Sequence, residues 1–359
     1  NITSSNLKKL FHKKTFIKKI ELNLIDSIFR SKIKKTKQFF KIDDNVVGEK
    51  KSIKINKVVN FLKKVKSDYL LITAPENVAW ILNIRGNDNL YSPIPNCYLF
   101  ISKKKKIFLI SDKSKTRNII KSKVIKKTEI ISFDGIENFL EKIKYGNIII
   151  DKRSCNLFLE NLIKKSFKIL NYDEPIYRFK SIKNQSEINH MIKAHEEDGL
   201  ALTKFIYWMK HNKKKISEID AQNKLEKFRK MSKNYLYPSF NTIAGSGPNG
   251  AIIHYRADDK NSRLISKKDI FLFDSGGQYK YGTTDVTRTI CFEKPHRKIK
   301  DIFTRVLKGH IAVYLSNLNR ANTGKKIDLR ARKFLKQIKL DYAHGTGHGV
   351  GFFLNVHEG

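Results

Sequence analysis

The spacing of apolar and polar positions divides the chain into two stretches of different texture. From residue 51 on, Ile55, Val58, Val59, Leu62 and Val65 recur at the interval of a helix with one buried face. An apolar run at 69–73 then predicts a strand, and 77–82 a helix. Two strands are expected at 97–101 and 107–110, joined by a turn of four lysines at 103–106. Further strand-like runs at 128–132 and 147–151 are separated by an amphipathic stretch at 136–143, and another amphipathic stretch, 157–163, follows. Strands alternating with helices point to an α/β domain, whose pattern ends near 171–175.

The second stretch opens at about Ser186. Ile188, Met191, Ile192, His195, Leu202, Phe205, Ile206 and Met209 form one long helical stripe. Ser217 followed three residues later by Asp220 is a helix-start signal ahead of Leu225 and Phe228. A Gly-Pro loop, with Gly245, Gly247, Pro248 and Gly250, lies between two strand-like runs. Residues 269–274 and 279–292 are expected to form a long hairpin, and 302–315 and 329–338 helices. The Gly-rich end, 343–359, is expected to be a strand with tight turns. Residues 1–50 are polar, lysine-rich and weakly patterned, and read as the tail of an upstream domain plus a linker.

Composition changes this picture little. Apolar residues make up 40% of the 359, enough to bury real cores in two domains. The net charge is +39, from 73 Lys and Arg against 34 Asp and Glu. The basic residues are mostly lysines scattered through nearly every element, so no specific nucleic-acid partner is expected. Three cysteines, Cys97, Cys155 and Cys291, stand far apart in no metal-binding spacing, which suits a reducing compartment. No apolar run approaches the ~18 residues of a membrane span.

Candidate chemistry lies in the second stretch. Asp274 ends an apolar run, and the turn Ser275-Gly276-Gly277 lets the chain fold back to bring Asp285 near it. Two carboxylates held close repel unless a proton or cation lies between them, and a divalent metal suits such hard ligands. The alternative is that Asp274 merely opens a turn and Asp285 is a solvated strand residue. His344-Gly345-Thr346-Gly347-His348 spaces two histidines four apart. Its glycines disfavour a helix, and no glutamate follows the first histidine, which excludes the zincin pattern. His357 and His254 complete the set, His254 being expected at the end of a strand. Two aspartates and four histidines are the inventory of a dinuclear hydrolase.

These motifs resemble the aminopeptidase P family of Xaa-Pro aminopeptidases. The runs that carry the resemblance are DSGGQY from Asp274, GTTDVTRT from Gly282, HGTGHGVGFFLNVHEG from His344 and GPNGAIIHY from Gly247. Upstream, Glu76 to Gly86 resembles the middle domain of three-domain members. The likeness extends over nearly the whole chain from about residue 20. It implies an α/β and α+β architecture: a creatinase-like α/β domain at 51–178, then a pita-bread catalytic domain at 179–359. It further implies Asp274, Asp285 and His348 as metal ligands, with Asp285 bridging two divalent ions, most often Mn2+. His254, His344 and His357 would be the catalytic histidines that line the substrate pocket and meet the developing oxyanion. The implied substrates are peptides with proline second, in the cytoplasm, with no membrane partner; a homodimer is among the assemblies allowed.

The sequence also departs from that pattern. The family completes its site with two glutamates further along the chain, and Glu358, in the His-Glu-Gly turn, is not one of them. The loop at 319–324 lacks the Pro-Gly pattern usual there. The chain therefore reads as a pita-bread domain incomplete at its C-terminal end, with three of five ligands. As it stands it is expected to bind metal weakly without turnover. The alternative reading is a catalytically inactive pita-bread binding protein.

Overall fold

The structure, a computed structural model, describes residues 2–12, 15–16, 24–28, 37–143, 145–318 and 323–358. Much of the expected N-terminal tail, and most of the 319–324 loop, lie outside the described residues. The chain forms two compact units, Asn1–His190 and Met191–Gly359.

The first unit is built on a six-stranded sheet. In spatial order its strands are Ile130–Ile131, Ile107–Ser111, Cys97–Ser102, Tyr69–Ile72, Asn147–Ile150 and Lys168–Leu170. Cys97–Ser102 runs antiparallel to both neighbours, and the other pairings are parallel. Its four central strands are largely buried on both faces, as expected of a sheet covered by helices. Leu71, Phe100, Ile110, Ile148 and Ile150 pack against Leu140 and Leu159 from helices Ile136–Ile143 and Leu157–Ser166. The helix expected at 77–82 starts earlier, at Pro75, where proline's fixed φ suits a first turn.

The long helix Gln185–His211 begins at the end of the first unit, and its part within the second buries Ala194, Asp198, Ala201, Leu202, Phe205 and Met209. Ile188 and Ile192, expected on that face, are instead exposed at 38% and 53%. Helix Glu218–Arg229 is capped as expected: Ser217 Oγ accepts from Asp220 N, and the Asp220 carboxylate accepts from Ser217 N. Its buried face carries Glu218, Ala221, Leu225 and Arg229. Strands Ile243–Ser246, Ile270–Ser275 and Val286–Cys291 form one antiparallel sheet; Tyr235–Pro238, Gly277–Tyr279 and Gly282–Thr283 form another. Helices Arg297–Tyr314 and Gly324–Lys336 pack together at Gly309, where a Cβ would come within 2.3 Å of Ala331 O.

Three expectations are corrected here. The hairpin arm at 279–292 is split: Val286–Cys291 pairs with Ile270–Ser275, while Gly277–Tyr279 and Gly282–Thr283 form a hairpin on the other sheet. Glycines at 276 and 277 let the chain switch sheets after Ser275. The Gly-rich end is a loop closed by one bridge, Gly349 to Glu358, rather than a strand, because its backbone turns again at Gly351, whose N–H donates to Asn355 O at 3.0 Å. His254 stands in a turn at φ 55°, not at a strand end, since Tyr255 N donates back to Ile252 O at 3.2 Å.

Candidate metal centre

Strand Ile270–Ser275 alternates in burial. Phe271, Phe273 and Ser275 face the core, which turns Asp274 to the opposite face, half-buried. Thr287, its partner in register, donates Oγ1 to Asp274 Oδ1 at 2.9 Å. The turn behind Asp274 depends on close backbone approach. A Cβ on Gly276 would lie 1.9 Å from Thr284 O and 2.3 Å from Ser239 Oγ, so the passage admits only glycine. The chain returns through Thr284 and presents Asp285 beside Asp274. Burial, then the charge of Asp274 and a hydrogen bond shared with it, push the Asp285 carboxyl up to about 6. The positive charge available on His348 and His195 acts in the opposite sense.

Two of the three histidines of the C-terminal loop are brought together by its single bridge. Gly349 N donates to Glu358 O at 2.9 Å and Glu358 N to Gly349 O at 2.8 Å. The residues that precede each member of this pair, His348 and His357, then meet edge to face with ring centroids 4.1 Å apart. His348 Nε2 reaches Asp285 Oδ2 at 3.3 Å, and its Nδ1 stands 2.8 Å from Gly349 O. A backbone acceptor at Nδ1 fixes the ring and leaves Nε2 facing the carboxylate. Phe352, Phe353 and Leu354 anchor the loop in the core. Gln278 donates Nε2 to Leu354 O at 2.9 Å, and Leu354 N donates to Thr283 Oγ1 at 3.3 Å. The hairpin that delivers Asp285 therefore also holds the histidine loop.

His254 and His344 lie outside that trio. Burial first, and next the like charges of His348 and His254, lower the His357 pKa, which puts His254 on the same side of the unit. Its loop is set by Glu218: Ser246 N donates to Oε1 at 2.7 Å, and Tyr255 OH donates to Oε2 at 2.8 Å. His344 is exposed, its ring 4.7 Å from that of Tyr342 and its Nδ1 2.8 Å from Gly345 O.

The donor set fits a hard or borderline cation. Ligand atoms of Asp285, His348 and His357 all lie within 4.8 Å of one another. Two donors sharing one ion at ~2.1 Å can be at most ~4.2 Å apart, so the group stands close to a closed shell. A carboxylate kept from ionising by its neighbour is also the group that a cation would relieve.

Residues 189–359 match the model of metallopeptidase family M24, and 30–187 that of the creatinase/prolidase N-terminal domain. The chain belongs to metallopeptidase family M24. It is 37% identical to Xaa-Pro aminopeptidase 1 of Dictyostelium discoideum over 94% of its own length and 56% of that protein's. A probable Xaa-Pro aminopeptidase P of Laccaria bicolor is 35% identical over 98% and 56%. The chain thus spans a little over half the length of the curated relatives it matches. Among solved structures, the X-prolyl aminopeptidase of Caenorhabditis elegans, described as cytosolic with a di-nuclear active site, superposes with TM-score 0.86 at 29% identity. That match covers 95% of this chain and 57% of that one. The prolidase of Pyrococcus furiosus superposes with TM-score 0.64 at 26% identity over 84% of each. The creatinase-like domain followed by a pita-bread domain is therefore the fold of this M24 member.

Sequence reasoning assigned no role in the site to His195, Gln278, Thr283, Thr284 or Glu218. One signal was present in the helix stripes. Glu218 shares a helical face with Ala221 and Leu225, and a carboxylate on a core face must find partners inside.

Proposed function

We propose that this M24 chain carries the metal and peptide site of an Xaa-Pro aminopeptidase, acting in the cytoplasm on peptides with proline second. The observation that carries this reading is the convergence of Asp285, His348 and His357 beside Asp274. Asp274, Asp285 and His348 would hold divalent cations, Asp285 between two of them, with manganese the first candidate. When bound, such a pair lowers the pKa of a water and polarises the scissile carbonyl. His357 and His254 would face the substrate and donate N–H to the oxygen on which charge develops. His344, at the exposed edge beside Tyr342, would contact the peptide further from the scissile bond.

Support for the substrate class comes from the Xaa-Pro aminopeptidases that share over a third of their matched residues with this chain. A second reading, metal and peptide binding without turnover, is favoured for the chain taken alone. Its gathered donors are two carboxylates and two imidazoles, more suited to one ion than to two. The test is manganese-dependent release of the first residue from Xaa-Pro peptides by this chain. Hydrolysis that survives Asp285→Asn, or that ignores chelation, would sink the reading. Manganese uptake with no hydrolysis would assign binding without turnover to the chain.

A further inference from the structure

Beneath the two aspartates lies an ion pair shut off from solvent. Asp198 and Arg229 are both fully buried, and Arg229 grips the carboxylate with two bonds, Nε to Oδ1 at 2.6 Å and Nη2 to Oδ2 at 3.2 Å. Each carboxylate oxygen takes one further donor: Tyr279 OH reaches Oδ1 at 2.9 Å and Thr284 Oγ1 reaches Oδ2 at 2.8 Å. Arg229 Nη2 also donates to Ser275 Oγ at 3.0 Å. Thr284 Oγ1 in turn accepts from Gly277 N at 2.9 Å, and Thr284 O accepts from Ser239 Oγ at 2.8 Å.

The chain positions of these partners matter. Ser275 directly follows Asp274, and Thr284 directly precedes Asp285. Both partners are fully buried, while both aspartates face the other way, half-buried. Successive side chains of extended backbone point to opposite faces, so fixing the inner residue of each pair fixes the outer carboxylate. A buried ion pair gives little net stability over an apolar pair of the same volume, because desolvation offsets its attraction. What it supplies is one defined geometry, here applied to both sides of the turn at once.

We infer that Asp198 and Arg229 are positioning residues that set the separation of Asp274 and Asp285, acting through Ser275 and Thr284. The inference rests on the proposed reading of those aspartates as metal ligands. The test is Mn2+ binding to the full chain, followed by calorimetry and electron paramagnetic resonance, for wild type, Thr284→Val, Thr284→Ser, Asp198→Asn and Asp285→Asn. Thermal melts in chelator run alongside. Thr284→Val keeps side-chain volume and deletes the donor to Asp198. It is expected to weaken Mn2+ binding by about tenfold, the scale of lost outer-shell support, with an altered Mn2+ spectrum. Thr284→Ser should restore affinity to within about twofold of wild type.

If Asp285→Asn abolishes binding while Thr284→Val binds as wild type, the positioning role is wrong and the metal reading stands. If Thr284→Val loses affinity only in proportion to its melting temperature, and serine does not rescue it, the network is merely structural. Binding that is unchanged in Asp285→Asn would remove the metal reading and this inference with it. Asp198→Asn is the harsher variant; Thr284→Val decides the matter should it fail to fold.

Discussion

Gly276→Ala tests the close approach that delivers Asp285. The added Cβ would lie 1.9 Å from Thr284 O and 2.3 Å from Ser239 Oγ. Carbon and carbonyl oxygen normally meet at about 3.3 Å, so one backbone segment must retreat by about 1.4 Å. Both neighbours are buried, and Thr284 is tied on two sides. Its N–H donates to Gly277 O at 2.9 Å, and its carbonyl accepts from Ser239 Oγ at 2.8 Å. Overpacking costs about 1–3 kcal/mol, and losing both bonds adds about 1 kcal/mol each. The expected destabilisation is therefore roughly 3–5 kcal/mol, confined to the second unit.

Urea unfolding reads the magnitude, and hydrogen exchange reads the place. Amide protons of Gly277 and Thr284, each donating across the turn, should exchange faster in the variant, while those of strand Tyr69–Ile72 should not change. Gly345→Ala is the matched control, because nothing lies within 4 Å of its Cβ position, and a shift within ~0.5 kcal/mol is expected. A Gly276→Ala protein as stable as wild type, with unaltered exchange at 277 and 284, would refute the reasoning. It would mean that the turn can widen freely and that Asp285 is not held by this approach.

The other predictions concern the donors, the helix contact and a buried acid. His348→Ala and His357→Ala should each weaken Mn2+ binding by at least tenfold in calorimetry, whereas His344→Ala should leave it within about twofold. Mn2+ uptake near pH 5 should release a proton, measured as a buffer-dependent binding enthalpy, because the Asp285 carboxyl titrates at about 6 and must ionise to bind. Gly309→Ala should destabilise the second unit by about 1–3 kcal/mol in urea, since its Cβ would meet Ala331 O at 2.3 Å. In the first unit, burial raises the Glu174 pKa to about 8 despite the 2.6 Å bond from Asn77 Nδ2. The unfolded chain ionises from about 4.5, so folding stability falls as pH rises from there to about 8. Glu174→Gln should flatten that fall, by a few kcal/mol at pH 8; an unchanged pH profile would show that Glu174 does not carry the linkage.

What was legible in the sequence follows from how local each signal is. Regular periodicity marked most helices and strands of the first unit, because their pattern is set by burial against one sheet. The strand Lys168–Leu170 and the strand Tyr235–Pro238 were missed, being short edges whose pairing is decided by distant partners. The motif residues were visible because glycines and titratable groups cluster at 274–285 and 344–358. Their mutual placement was not, since it is set by contacts between segments. Leu354 fastens on Gln278 and Thr283, and Glu358 pairs with Gly349, so that His357 rather than His344 stands beside His348.

The buried polar residues teach the converse. Asp198 interrupts the apolar face of Gln185–His211, between Ala194 and Leu202, and Arg229 ends the face of Glu218–Arg229 at the spacing of Leu225. Two opposite charges on core faces of adjacent helices must either pair or unfold the packing. Sequence alone could therefore have predicted that they meet. It could not have predicted what else they hold, because Tyr279 and Thr284 reach the pair only after the chain has switched sheets at Gly276. If Asp274 and Asp285 hold the metal as proposed, an ion pair outside the motifs sets their geometry, and a variant that keeps every motif residue would still lose the metal by losing Asp198 or Arg229.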